Sequence, residues 1–515
     1  MAPFMNVFSN LIISIPVITT SSFFVLLFLY IYNQKQHHKK KYHLVVGSVL
    51  NLIINFNKVH DYLSDLAAKY KSYRLIVSLF RADVYTSDPM NVEYIVKTNY
   101  QNFGKGKKLR DIMKDLLGEG IFIVDGDKWR EQRKVASHEF STKVLRDFSS
   151  VVFRKNAIKL GDILLEAANN NQIIDINDLF MKATMDSIFK VAFGIDLNNM
   201  SSPNEDGIRF SRAFDDANTL TAGRFVDVLW KIKKFLNIGS EADMKKSMKV
   251  VDEFVYKVIQ MKIEQMHKSK DEFSLKKEDI LSRFLQVNDK DPKYLRDIIL
   301  SFVLAGKDTV AITMTWLIYM LCKHPKIQDK VAREIKEAMK MKKEFTNVAD
   351  FATLVTDDAL ENMHYLQATL TETIRFYPAL PLDPKTCLSD DVLPDGCMVK
   401  KGDTISYLPY AMGRMEFIWG DDAQDFKPER WLDHDGRFHP ESPFKFVAFQ
   451  AGPRTCLGRE FAYRQLKIFS SILLGCFMFK LSDENKVSSY RISVNLHIDG
   501  PLQICVFKRS GLHDQ

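Results

Sequence analysis

At 515 residues the chain is longer than one average domain, yet no internal repeat and no linker rich in Pro, Gly or Ser divides it, so one large globular unit is expected. Its 46% apolar and 12% aromatic residues are ample for a core of that size. The 72 basic and 64 acidic residues give +8, but they are mixed along most of the chain with no basic motif of a nucleic-acid module, which excludes nucleic acid and favours a membrane surface or an acidic partner protein.

Residues 1 to 34 carry no charged side chain, and Leu11 to Tyr32 is long enough to cross about 30 Å of hydrocarbon as a helix. A cleaved signal peptide is the rival. The length of the apolar run, the missing basic n-region and the lack of a small-residue cleavage site before Lys35 argue against it. Pro16 would kink or start the helix without forbidding insertion. Lys35, Lys39, Lys40 and Lys41 follow at once, and the positive-inside rule then places the N-terminus in the lumen and the rest in the cytosol.

Tyr73 to Val77 with Val84 to Thr86 predicts a short hairpin of β-branched and aromatic residues, stopped by Asp88-Pro89, which caps a helix over Met90 to Lys97. Gly104 to Gly120 reads as an irregular, basic, mobile loop. In the stretch Gly126 to Arg133 that follows, Trp129 and Arg133 are four apart and share a helical face. By themselves they describe a cation resting on an indole.

Val144 to Met266 has mostly helical periodicity, broken by a polar loop near Asn198 to Glu205. Within it, Phe210 to Leu236 is rich in Phe, Leu and Val; a core helix pair explains it as well as a cavity roof does. Leu295 to Lys323 is the longest helical run, apolar nearly all round and therefore expected inside.

Ala305-Gly306-Lys307-Asp308-Thr309 lies in the middle of that run. A glycine there costs about 1 kcal/mol relative to Ala, so its presence should gain something. Thr309 can bond back to a carbonyl one turn earlier, and the acid beside it suggests a proton relay; a plain helix kink with a solvated acid is the competing account.

Glu372 and Arg375, at i and i+3, are on their own an ordinary surface pair. Phe426 to Trp431, with Arg430, comes about fifty residues later. Pro378, Pro381 and Pro384 interrupt the extended segment between them.

Phe449-Gln450-Ala451-Gly452-Pro453-Arg454-Thr455-Cys456-Leu457-Gly458 precedes a helical run from Phe461 to Leu474. A thiolate near a helix N-terminus gains from unpaired N–H groups and the positive dipole end, which is expected to lower the thiol pKa and suit the sulfur to a metal. Gly452 and Gly458 let a flat group approach the backbone closely, and Arg454 adds a cation. Alone, a lone cysteine is more often an ordinary buried one. Cys322, Cys387, Cys397, Cys476 and Cys505 show no paired spacing, so neither zinc nor a disulfide framework is indicated, and a reduced compartment fits.

The spacing of Phe449, Gly452, Arg454, Cys456 and Gly458 resembles the ligand loop of the haem-thiolate cytochrome P450 family, and the other motifs follow in family order along essentially the whole chain. The resemblance implies a mainly α fold with small β-sheets preceded by one N-terminal transmembrane helix: an anchor at 1–34 and a haem-binding monooxygenase domain at 35–515. It implies haem b with Cys456 as axial ligand to iron, Phe449, Gly452 and Arg454 in the same loop, and Trp129 and Arg133 against a haem propionate, where a guanidinium suits a carboxylate. Asp308 and Thr309 become the proton-delivering pair, and Glu372, Arg375 and Arg430 a buried network.

Three departures stand out. Leu44 occupies the place of a hinge proline, Val310 that of a second hydroxyl, and Asp383 and Lys385 lie where a haem-facing Arg or His is common, so no propionate contact is carried over there.

Asp125 to Arg133, Ala305 to Thr309 and Tyr407 to Arg414 look most like the plant long-chain fatty-acid ω-hydroxylase group. The implied reaction is RH + O₂ + 2e⁻ + 2H⁺ to ROH + H₂O on the cytosolic face of the endoplasmic reticulum. Electrons would come from a membrane-bound NADPH-cytochrome reductase, since the chain has no dinucleotide or flavin fingerprint. Lys107, Lys108, Arg110 and Arg224 are the cations named for a substrate carboxylate. A haem-thiolate hydroperoxide isomerase or dehydratase and a haem sensor are the rivals; the pair Asp308-Thr309 and the uninterrupted cysteine loop argue against the first, and the second would leave a proton relay without purpose.

Overall fold

The computed structural model describes residues 44–45 and 51–509, apart from 53, 79–80, 141–142, 202–204, 226, 228, 269–278, 288–290, 341–344, 346 and 492. The proposed anchor at 1–34 lies outside the described residues. The architecture is mainly helical with small sheets. The principal helices are α1 Val59–Tyr70, α2 Gly106–Leu117, α3 Gly126–Phe140, α4 Lys143–Asn169, α5 Ile176–Phe193, α6 Glu205–Gly223, α7 Trp230–Leu236, α8 Ser240–Lys268, α9 Pro292–Lys323, α10 Pro325–Ala338, α11 His364–Phe376 and α12 Arg459–Cys476.

Among the described residues the strands are β1 Leu44–Val45, β2 Ser72–Ser78, β3 Arg81–Thr86, β4 Phe103–Gly104, β5 Ile174–Asp175, β6 Asp383–Cys387, β7 Asp391–Val392, β8 Met398–Val399, β9 Thr404–Tyr407, β10 Phe477–Leu481 and β11 Gln503–Lys508. They form a six-stranded sheet in the order β1-β2-β3-β9-β6-β4, a three-stranded sheet β10-β11-β5 and the pair β7-β8. The expected hairpin is β2 against β3, antiparallel, with Tyr73 opposite Tyr85. β9 then adds in parallel to β3 and antiparallel to β6, so Asp383 faces Tyr407 across the ladder.

Two apolar cores result. One gathers the helices around α9, whose Leu295, Ile299, Val303, Ala311, Trp316 and Leu317 are all buried; the other lies under the six-stranded sheet, around Leu75, Val84, Ile405 and Tyr407. By length and composition α9 could cross a membrane, yet it runs through the protein interior, as its all-round apolar sequence predicts. Asp291 caps it, accepting from Lys293 N at 3.0 Å, and Pro292 opens it three residues before the expected start.

Gly104 to Gly120 is not an irregular loop. Its middle is α2, which buries Ile112, Met113, Leu116 and Leu117 on one face and leaves Lys107, Lys108 and Arg110 outside. The glycines sit at its ends, Gly106 at φ +67 and Gly118 at φ +56, as punctuation rather than disruption. Met90 to Lys97 is likewise two pieces, an α-turn Pro89–Glu93 running into a π-helical turn Tyr94–Thr98. The helical reading of 144 to 266 is broken once more by β5, whose Asp175 caps α5 by accepting from Asn177 N at 3.1 Å.

α11 is fixed from beneath by a buried charge network. Glu372 and Arg375, both with fully covered side chains, meet in a bidentate pair at 2.7 and 2.8 Å. Glu372 also accepts from Arg430 Nε at 3.2 Å, Trp431 Nε1 at 2.8 Å and Lys427 N at 2.8 Å. Arg375 donates to the carbonyls of Gly413, Ala423 and Asp425. Every charge is thereby paired and bonded, the condition under which burying such a set is tolerable. The interior network, rather than the surface pair, is what the chain builds, and it holds the 413–431 segment to α11.

Candidate functional site

Cys456 follows the 3-10 turn Gly452–Arg454 and precedes α12 by three residues. Its N–H donates to Phe449 O at 2.8 Å, closing the loop on itself. Gln450 and Gly452 take positive φ, +56 and +64, and a Cβ on Gly452 would stand 2.0 Å from Val96 O, so only glycine fits there. That close approach is to the chain's own π-helical turn. Gly458 is different: a Cβ there would meet only Cys456 Sγ, at 4.0 Å, which leaves clear space beside the sulfur.

The Cys456 thiol is pushed up rather than down. Burial is the largest cause, and the Gly458 N–H, Arg133 and Arg459 pull the other way without prevailing. The Gly458 N–H at the N-cap of α12 does reach Sγ, and burial outweighs it. The side chain nonetheless keeps open surface within this dense surrounding.

Arg133 and Arg459 act on the sulfur, and Arg454 interacts with Arg133. Arg454 stacks over the Trp129 indole at 4.4 Å and donates to Asp125 Oδ1 at 2.6 Å and Val124 O at 3.1 Å. Arg133, one turn beyond Trp129 on α3, is half-buried; burial lowers its pKa, Cys456 acts to raise it and Arg454 to lower it. Among the described residues Arg133 has no hydrogen bond or ion pair. A half-buried cation beside a second cation, with no acid to answer it, is a seat for an external anion. Phe449 packs on Tyr463 at 5.3 Å and so anchors the loop to α12.

Behind Arg454 lies a set of charges whose pairing across elements is not announced by their spacing in the sequence. Asp125 accepts the N–H groups of Lys105 and Gly106 as well as Arg454, tying α2 to the cysteine loop. Asp383 and Lys385, on β6, are both buried and 2.9 Å apart; Lys105 Nζ lies 3.6 Å from Asp383, which also accepts from Tyr407 Oη. Alternation along β6 turns these two side chains to the same face, a signal that the strand pattern carried.

α9 passes with a different set of groups. Thr309 Oγ1 donates back to Ala305 O at 2.5 Å, the one-turn bond that its type and place predict. In the middle of α9 Leu304, Ala305, Gly306 and Thr309 are partly open, whereas Lys307 and Asp308 are buried. Gly306 is explained by packing: a Cβ would come within 2.6 Å of Ile188 Cδ1 and 2.9 Å of its Cγ1, so α5 can lie closely against α9. Asp308 is no solvated acid. Asn218 and Asn495 donate to Oδ2 at 3.2 and 3.3 Å, while Oδ1 accepts no hydrogen bond.

A family model described as Cytochrome P450 matches residues 38–506. The chain belongs to the cytochrome P450 family. It is 50% identical to Cytochrome P450 704C1 of Pinus taeda over 477 residues, covering 89% of this chain and 90% of that one. It is 44% identical to Cytochrome P450 704B1 of Arabidopsis thaliana over 498 residues (90% and 94%), and 36% identical to Cytochrome P450 94A1 of Vicia sativa over 448 residues (85% and 84%).

As a cytochrome P450 the protein is a monooxygenase, an oxidoreductase of a family whose haem iron takes an axial cysteine thiolate. The residues present fit that group. Cys456 offers an open sulfur beside the clear face at Gly458, Arg133 offers an unanswered cation of the kind a propionate would satisfy, and Trp129 and Arg454 form a stacked wall next to them. Arg224, by contrast, cannot serve a substrate carboxylate. Its Nε and Nη2 bond Glu241 at 2.8 and 2.6 Å, Nη1 bonds Ile112 O at 2.8 Å, and Asp115 lies 2.7 Å from Nη2.

Proposed function

We propose that this cytochrome P450 hydroxylates a long-chain fatty acid at or near its terminal carbon, with Cys456 as axial ligand, Trp129, Arg133, Phe449, Gly452 and Arg454 as the haem-binding set, and Asp308 with Thr309 as the proton-delivering pair. The observation that carries the ligand assignment is the gathering of an open sulfur and an unanswered half-buried guanidinium within one electrostatic neighbourhood. When bound, the haem activates dioxygen and supplies the oxidant for the C–H bond. The chain's own part is to hold the thiolate, neutralise the propionates, exclude water and bring protons to the distal side. Thr309 supplies a hydroxyl on a partly open stretch of α9, and Asp308, one residue earlier, supplies a buried acid.

Substrate class follows from positioning. A terminal methyl has stronger C–H bonds than the methylenes beside it, so selectivity requires that the chain be held end-on. Leu304, Ala305, Ala379, Leu380 and Leu382 are apolar and partly open, and suit such a channel. With Arg224 committed elsewhere, Lys107, Lys108 and Arg110 on the outer face of α2 remain as partners for a carboxylate. Each buried methylene contributes about 0.8 kcal/mol, so affinity should rise with chain length until the channel is filled, near roughly C16 to C18. Residues 1–34 would anchor the enzyme in the endoplasmic reticulum membrane by a single span, leaving 35–515 as the cytosolic catalytic domain, where an NADPH-cytochrome reductase delivers the electrons.

The test is a microsomal assay of the full chain with reductase and NADPH over fatty acids and their methyl esters, products identified by mass spectrometry. Terminal or near-terminal alcohols, with the free acid preferred, are expected. Exclusive oxidation of steroids, terpenes or phenolics would refute the substrate class.

A further inference from the structure

Two consecutive residues of α9 meet two residues that lie one turn apart on α6. Lys307 Nζ donates to Asp215 Oδ1, and Asn218 Nδ2 donates to Asp308 Oδ2 at 3.2 Å. Asn495, in the loop 490–498, gives Oδ2 a second donor at 3.3 Å. Oδ2 is therefore filled by two amides, whereas Oδ1 of the same buried carboxylate accepts no hydrogen bond among the described residues.

Beside Oδ1 stands the ammonium of Lys307, 3.6 Å away and so just beyond hydrogen-bond reach. The lysine is buried. Burial acts to lower its pKa, and Asp308 and Asp215 together more than reverse this, so it keeps its proton. Lys307 has two acids to choose between. Asp308 is its neighbour in the chain and is buried with it; Asp215 comes from another helix and has 49% of its side chain exposed. Without competition a buried cation takes the buried partner, because a charge left unpaired there is costly. In the structure Lys307 bonds Asp215 instead.

We propose that Asp215 is a positioning residue: it draws the Lys307 ammonium toward the surface and so leaves Asp308 Oδ1 free to take up and pass on a proton. The proposal rests on the reading of Asp308 as a proton-delivering group. Without Asp215, a shift of less than about 1 Å would bring Nζ into a charge-assisted hydrogen bond with Oδ1. That bond would favour the ionised carboxylate and occupy the oxygen that has to receive the proton. Asn218 and Asn495 cannot prevent it, since both address the other oxygen. No covalent bond forms or breaks at Asp215 or Lys307; the ammonium only changes partner.

The experiment uses the full-length holoenzyme with its reductase, comparing wild type, Asp215→Asn, Asp215→Glu, Lys307→Met, the double variant Asp215→Asn/Lys307→Met, and Asp308→Asn. Product formed per NADPH, kcat and KM are measured at neutral pH. Asp215→Asn should lower kcat and coupling about tenfold with KM unchanged, an effect of the size that groups in one charge network exert on each other. Asp215→Glu, which keeps the acid, should recover most of that loss. In the Lys307→Met background there is no ammonium to release, so adding Asp215→Asn should cost nothing further.

A second readout is independent of turnover: a crystal structure of Asp215→Asn should show Lys307 Nζ within hydrogen-bond distance of Asp308 Oδ1. Undiminished coupling in Asp215→Asn, with Asp308→Asn impaired, would overturn the role of Asp215 alone, as would a Lys307 that stays off Oδ1 in the crystal. Equal losses from Asp215→Asn with and without Lys307, or a raised KM in place of a lowered kcat, would mean that Asp215 merely secures α6, and would overturn the proposal too. An unimpaired Asp308→Asn would overturn the proton-delivery reading as well.

Discussion

Lys385 illustrates how a buried charge sets the pH behaviour of the ligand side of the fold. Burial brings its pKa down to about 7 against the ordinary 10.5, with Asp383 opposing the shift and Lys105 and Arg454 adding to it. Above about 7 the folded chain has released a proton that the unfolded chain still binds, so the stability this group contributes increases with pH and levels off near 10.5. Lys385→Met should remove that slope and leave Asp383 with Lys105 and Tyr407 as partners. Melting temperatures of the two proteins, measured from neutral to alkaline pH, should diverge as pH rises, the wild type gaining relative to the variant. Parallel curves would mean that Lys385 holds its proton throughout.

At the scale of single elements, a close fit lies where α5 crosses α9. Gly306→Ala would push a carbon into Ile188, and overpacking of this kind costs typically 1–3 kcal/mol. Chemical denaturation should show that loss, and Ile188→Ala should relieve part of it when combined, because it removes both clashing carbons. Additive effects of the two changes would contradict the contact. The same region shows what was legible beforehand. α9, its apolar character, Thr309 bonding back to Ala305 and the Cys456 loop were all readable, because each depends on neighbours within a turn or two of sequence. α2 was misread because glycines at both ends and four basic residues on its outer face masked the apolar set Ile112, Met113, Leu116 and Leu117. Arg224 was misassigned for the opposite reason: Glu241, Asp115 and Ile112 come from other elements, and no local pattern announces them. The bond of Asp308 to Asn495, almost two hundred residues downstream, was equally out of reach of spacing arguments.

For the whole molecule, the described residues contain the Cys456 loop, a wall of stacked Trp129 and Arg454, and a polar corner at Asp308 on α9. Because these parts lie within 51–509, removal of residues 1–34 should leave a haem protein that binds membranes only loosely. A glycosylation tag at the C-terminus of the full chain should stay unmodified, and modification in the lumen would reverse the proposed topology. Every role proposed for the loop and its neighbours depends on Cys456 meeting the iron. The most direct test of that ligation is the absorption spectrum of the reduced protein with carbon monoxide: the wild type should show the red-shifted band that marks thiolate ligation, and Cys456→His should lack it while keeping the helical circular dichroism of the fold. A wild-type band of the histidine-ligated kind, or an unchanged band in Cys456→His, would contradict the assignment.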